Sequence, residues 1–207
     1  FLGFSREELV AAVEEATNAG SYVAAHLYTD EAILRAIECG IRSLEHCNLI
    51  TSETARLAAQ MGCIACPTLI TYDKLKSEGA SMGLPPASIS KVDDVRLRGL
   101  ESLTIMQDAG LPMAYGSDLL GGMQPHQSGE FELRGQVLSP LTVIRSTTVI
   151  AAELLRMEGL IGTLQPGAFA DLILLERNPL ENLSIFSGQG EGIKTIVKDA
   201  SIVKHLS

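Results

Sequence analysis

"VAAHLYTDEAILRAIECGIRSLEH", residues 23–46, is the stretch that decides the fold. Its start completes "SYVAAH" (21–26), a short and almost wholly apolar run of the kind expected for a strand covered on both faces. A helical stretch follows in "TDEAILRAIECG" (29–40), with Ile33, Ala36 and Ile37 on one face and Gly40 as the stop. "IRSLEH" (41–46) then reads as a second strand. Both strands end on a histidine. Leucine or isoleucine would bury more apolar surface at less cost, because a buried imidazole needs a partner for each ring nitrogen.

The cadence continues outward from this core. "SETARLAAQMG" (52–62) is a helix closed by a glycine, and "CIACPTL" (63–69) a third strand. Upstream, Ser5 can cap a helix and Glu8 can reciprocate, with Phe4 and Leu9 at the staple positions and Gly20 as the stop. One period of about twenty residues of β then α implies parallel strands joined by right-handed crossovers. Downstream, "KLKSEGASMGLPPASIS" (74–90) reads as a long surface loop or lid, "VRLRGLESLTIMQDAG" (95–110) as a helix, and "LPMAYGSD" (111–118) as a fourth strand. "SPLTVIRSTTVIAAELLRM" (139–157) reads as one last helical stretch. From about Gly162 the pattern changes to "GTLQPGAFADLILLERNPL" and "IKTIVKDASIVKH", strands without crossover helices. The turn at Asp199-Ala200 is expected to be strained by about 1 kcal/mol or to be a longer loop, since hairpin turns favour glycine where φ is positive.

Composition excludes several classes. The chain has 207 residues, 46% of them hydrophobic, and a mean hydropathy of +0.21, which suits a well-buried globular protein. A net charge of -9 without a basic cluster argues against a nucleic-acid partner. Pro140 and Arg145 interrupt the longest apolar stretch, so no membrane span is expected. No export signal is visible, and a cytoplasmic location is the expectation. Cys63 and Cys66 form a lone C-x-x-C. With no second pair to complete a zinc ribbon, the two thiols read as structural.

His26, His46 and Asp118 therefore fall at the carboxyl ends of the first, second and fourth strands, where a β/α barrel assembles active sites. Adjacent parallel strands lie about 4.8 Å apart, so side chains ending them can share one metal ion. Imidazole and carboxylate suit zinc and related divalent ions.

"CPTLITYD", "GLPMAYGSD", "ELLRMEGLIGTLQPGAFADLILLERNPL" and "IKTIVKDASIV", together with the opening stretch, resemble the carboxyl-terminal half of amidohydrolase-superfamily enzymes. The similarity is greatest to the branch of Xaa-Pro dipeptidases and metal-dependent carboxypeptidases, with imidazolonepropionase-like proteins near it. The resemblance implies an α/β fold, the C-terminal half of a (β/α)8 TIM barrel (strands 5–8) in residues 1–161. A small β segment of the composite β domain would follow in residues 162–207. It implies a metal-dependent hydrolase of C–N bonds acting on small peptides or N-acyl amino acids. His26, His46 and Asp118 would bind a divalent metal, zinc first among the candidates, and Asp118 would also shuttle the proton as the catalytic residue. Tyr28, Tyr72 and His126 are the expected substrate-binding residues, and Glu45 is expected to turn away from the site by strand alternation.

The family's strand-one His-x-His pair and its strand-four carboxylated lysine, which complete a binuclear centre, have no counterpart in these 207 residues. A chain that starts at Phe1 and supplies four β/α units is expected to be a fragment, inactive alone, or a half-barrel that forms a homo-oligomer to cover its edges. The alternative reading is a non-catalytic remnant or assembly module that folds by self-association.

Overall fold

The computed structural model describes residues 2–206 and, within them, every side chain but those of Lys91 and Asp94. Helix α1 (Arg6–Asn18) carries the full capping box: Ser5 Oγ accepts from the Glu8 N–H, and the Glu8 carboxylate accepts from the Ser5 N–H at 2.8 Å. Phe4, at the staple position, stays largely exposed. Strands β1 (Ala24–Thr29), β2 (Ser43–Leu49) and β3 (Ile64–Cys66) make a parallel sheet in the order β1-β2-β3. Helices α2 (Asp30–Glu38) and α3 (Ser52–Gln60) are the crossovers. Thr29 and Thr51 cap them, each hydroxyl accepting from an N–H three residues on.

The core lies between this sheet and its helices. Leu27, Leu44 and Ala65 from the strands meet Ile33, Ile37, Ala58, Leu103 and Met106 from the helices, all buried. Burying a Leu or Ile side chain contributes about 1.5–3 kcal/mol, so the apolar face of the sheet supplies most of what holds the layers together.

Three expectations from the sequence need correction. First, the stretch 74–90 is largely helical. Helix α4 (Leu69–Glu78) runs through its start, and α5 (Pro86–Asp108) begins at its second proline. A proline reads as a loop signal, but at the first helical position its fixed φ and missing N–H cost nothing. Second, the fourth strand is reduced to one parallel bridge, Ala65 to Met113, flanked by hydrogen bonds from Ala65 N–H to Pro112 O (2.9 Å) and from Ala114 N–H to Ala65 O (2.8 Å). Third, the last helical stretch is broken in two. After the short helix α6 (Gly129–Gly135), α7 (Pro140–Thr147) and α8 (Val149–Leu154) meet at Thr148, whose φ of -121° and ψ of -96° are not helical. Thr147 and Thr148 both return their hydroxyls to Ile144 O at 2.8 Å, a local competition with helix bonding that bends the chain.

Strands β4 (Leu172–Leu175), β5 (Ile193–Lys198) and β6 (Ser201–His205) form a separate antiparallel sheet. The β5–β6 turn is tight, with Asp199 at φ 48° and Ala200 at φ 60°, so strain and not a longer loop is the outcome. Among the described residues, no helix is long and apolar enough to cross a membrane.

Candidate active site

The site begins with a departure from strand geometry. In the β1–β2 register His26 lies opposite Glu45, and His46 opposite Leu27. Partners in a parallel pair share a face, so plain alternation would put His26 with Glu45 and turn His46 toward the helices. The backbone prevents this. His46 has φ 76° and Cys47 φ 55°, and the register shifts beyond Leu27. Such a left-handed residue costs about 1–2 kcal/mol without a glycine, and strain of this kind concentrates at functional sites. The result is that His46 Nε2 lies 2.8 Å from His26 Nδ1. The expectation for Glu45 is thereby reversed: it faces the same side as His26, and its carboxylate accepts a hydrogen bond from Ser43 Oγ at 2.5 Å.

Around the two imidazoles the remaining groups are arranged closely. His46 is 1% exposed, whereas His26 is open to solvent. The other His46 nitrogen, Nδ1, lies 2.8 Å from Thr68 Oγ1. Tyr28 stacks on the His46 ring (4.8 Å between centroids, 7° between planes), and Tyr72 meets the same ring edge-on at 6.1 Å. Burial lowers the pKa of His46, while the nearby Asp118 carboxylate opposes that shift and His26 adds to it. Burial also raises the Tyr72 phenol well above its ordinary range. Tyr72 is 6% exposed, and among the described residues its hydroxyl has no hydrogen-bond partner. An orphaned buried hydroxyl costs about 1–3 kcal/mol, and here it lies beside converging imidazoles, where a bound polar group would satisfy it.

The predicted ligands are thus gathered in part. His26 and His46 converge. Asp118, on the loop after the bridge and itself at φ 48°, stands within electrostatic reach of His46 and Tyr72. Among the described residues, no group of three or more His, Cys, Asp or Glu side chains is placed to hold a metal ion. The donor chemistry still suits a divalent cation: two ring nitrogens converge, and one of the rings is oriented through its far nitrogen, as metal-binding histidines are. His126 has contacts of its own. Its Nε2 pairs with Glu78 Oε1 at 2.9 Å, and it lines a polar pocket of about 410 Å³ with Asp73, Lys74 and Glu132. Cys47, Cys63 and Cys66 are buried free thiols, and burial raises all three, Cys66 up to about 12, away from the thiolate that nucleophilic or redox chemistry uses.

Three residues of the site region escaped the sequence reading: Thr68, Glu130 and Arg134. Glu130 and Arg134 are 0% exposed and paired, Nε to Oε1 at 2.8 Å. Arg134 also donates to Ala114 O (3.0 Å) and to Pro67 O (2.5 Å), while Glu130 Oε2 accepts from the Ile70 N–H (2.7 Å). Burial raises the Glu130 carboxyl, and Arg134 opposes that rise.

A parallel sheet with crossover helices, paired imidazoles near its strand ends and a small antiparallel sheet define a mixed α/β protein. Residues 1–202 match the Amidohydrolase family, and the chain belongs to that family. It is 48% identical to an amidohydrolase of known structure, with a TM-score of 0.96 over 98% of this chain and 49% of that one. To a prolidase solved with N-methylphosphonate-L-proline it is 44% identical, with a TM-score of 0.96 over 98% of this chain and 50% of that one. It is 30% identical over 187 residues to the ochratoxinase of Aspergillus niger, covering 90% of this chain and 39% of that protein. The chain therefore spans about half the length of these solved structures, and less of the curated relative.

Proposed function

We propose that this chain carries part of the active site of a metal-dependent hydrolase of C–N bonds, acting on small peptides or N-acyl amino acids. In this reading residues 1–161 are the later half of a β/α barrel and residues 162–207 belong to a companion β unit. The observation that carries the proposal is the 2.8 Å approach of His26 Nδ1 and His46 Nε2, achieved at the expense of a left-handed histidine. The prolidase and the ochratoxinase named above support an amide-type substrate.

His26 and His46 would hold a divalent cation, zinc in the first instance, with Asp118 as the neighbouring carboxylate. Such an ion, when bound, makes water acidic enough to deliver a nucleophile near neutral pH and polarises the scissile carbonyl. Asp118 accepts the proton of the attacking water and returns it to the departing nitrogen. Thr68 holds the His46 ring in one orientation. Tyr28 and Tyr72 wall the site and exclude water from one side, and the Tyr72 hydroxyl is free to donate to a carboxylate of the substrate. His126, paired with Glu78, is reserved for the outer part of the substrate path.

A test is calorimetric titration of the purified chain with zinc or manganese, followed by a panel of Xaa-Pro dipeptides and N-acyl amino acids. Stoichiometric binding that His46→Asn abolishes is the expected result. No binding to a folded chain would refute the ligand assignment. The second reading, a non-catalytic module that folds by self-association, is favoured by one observation. Strand β1 pairs on one side with β2, and a cleft of about 600 Å³ lined by Leu9, Val23, His26 and Tyr28 runs along it. Metal binding without association supports the hydrolase, and association without metal supports the module.

A further inference from the structure

After each of the three parallel strands the chain enters a helix through a threonine. Thr29 and Thr51 cap their own helices, as threonine at that position ordinarily does. Thr68 stands at the same position before α4 and makes no cap hydrogen bond. Its hydroxyl is instead 2.8 Å from His46 Nδ1. The first turn of α4 is capped instead from another helix, at a neighbouring N–H. Glu130, reaching in from α6, accepts the Ile70 N–H, the second helical residue of α4, at 2.7 Å. A carboxylate there is also favoured by the helix dipole.

From this exchange we propose that Glu130, held by Arg134, is a positioning residue for the site: it caps α4 in place of Thr68 and so releases the Thr68 hydroxyl to fix the His46 imidazole in one tautomer. With Thr68 Oγ1 accepting from Nδ1–H, the lone pair of His46 sits on Nε2, the nitrogen that faces His26. The buried pair is built for this task. Arg134 takes Pro67 O and Glu130 takes Ile70 N–H, so the two clasp the chain on either side of Thr68. Arg134 also holds Ala114 O, on the segment that leads to Asp118, and its guanidinium lies over the Tyr115 ring at 5.1 Å. An ion pair of 0% exposure costs more in desolvation than its attraction returns unless every remaining donor and acceptor is used, and here backbone groups next to the site use them.

The role rests on His46 being a site residue, but its test needs no turnover. Long-range proton–nitrogen NMR of the histidine rings, at a pH where His46 is neutral, reads the tautomer directly, and amide exchange reads the α4 cap. In the wild type, His46 should show one protonated and one bare ring nitrogen, and the Ile70 amide should exchange slowly. Glu130→Gln should move the two His46 nitrogen signals toward their average and speed Ile70 exchange by about tenfold or more, as expected on losing a charged hydrogen bond. Thr68→Val should move the same His46 signals without exposing Ile70, Thr68→Ser should restore them, and Thr68→Val in the Glu130→Gln background should add nothing. Should Glu130→Gln not fold, Glu130→Asp keeps the charge beside Arg134 while withdrawing it from Ile70, and the same two signals report. A folded Glu130 variant with unchanged His46 signals overturns the role, as does a Thr68→Val protein whose His46 is unaltered. If these outcomes hold and no metal or dipeptide is ever bound, the fault lies with the hydrolase reading and not with the positioning role.

Discussion

Single residues in this chain sit in conformations their types resist. Ala200 adopts φ 60° in the β5–β6 turn, a conformation that costs an alanine about 1 kcal/mol and a glycine little. Ala200→Gly is therefore expected to stabilise the protein by up to about 1 kcal/mol, read as a higher urea midpoint. Tyr72 makes a different case. Among the described residues its buried hydroxyl has no hydrogen-bond partner, so Tyr72→Phe should leave stability unchanged or raise it by about 1 kcal/mol while weakening the binding of a carboxylate-bearing ligand. A loss of more than about 1 kcal/mol in urea unfolding would mean that the hydroxyl is satisfied in solution. At this scale the sequence was only partly legible. The histidines stood out because their type conflicts with an apolar strand. Their meeting was expected from adjacent strand ends, but the left-handed His46 that achieves it was not, having no glycine to announce it. Glu130 and Arg134 look like any surface i,i+4 pair, and nothing in "GEFELRG" distinguishes the buried Glu130 from the exposed Glu132.

At the scale of elements, the parallel cadence was legible since periodicity, caps and glycine stops agree. The breaks were not. The division of α7 from α8 leaves no mark in an apolar stretch rich in β-branched residues, and its partner is distant in sequence. Gly162, at φ 69°, lies so close under the break that a Cβ there would fall 2.5 Å from Thr148 O. Gly162→Ala should destabilise by about 2–3 kcal/mol in denaturant titration. A loss below about 1 kcal/mol would show that the segment moves freely.

The antiparallel sheet carries a pH signature. The Asp199 N–H, donating at 2.7 Å, and the Lys198 ammonium hold the Asp171 carboxyl below its usual range. A folded pKa below the unfolded value of about 3.9 contributes stability above that pH and loses it as pH falls through the folded pKa. Asp171→Asn should accordingly show a smaller drop in stability between pH 5 and pH 2 than the wild type does. Equal drops would assign the acid sensitivity elsewhere.

For the molecule as a whole, β1 is the margin of the parallel sheet among the described residues and runs beside an apolar cleft. The module reading requires association through this edge, with the 22.1 kDa chain sedimenting as a larger species at micromolar concentration. Ala24→Lys, a charge at the exposed start of β1, should return it toward the monomer. A wild-type chain that stays monomeric would exclude edge association.

The contact between Cys66 and Gly116 carries one more consequence. A Cβ on Gly116 would fall 2.6 Å from the Cys66 sulfur, so the segment leading to Asp118 rests against that thiol. An oxygen added to the sulfur on this side would press on the same segment. In the folded protein burial disfavours the thiolate, the form that oxidises. A chain exposed to peroxide while unfolded would carry the damage into refolding and close with the segment before Asp118 displaced, a defect that reductant would mend only at the first, reversible stage of oxidation.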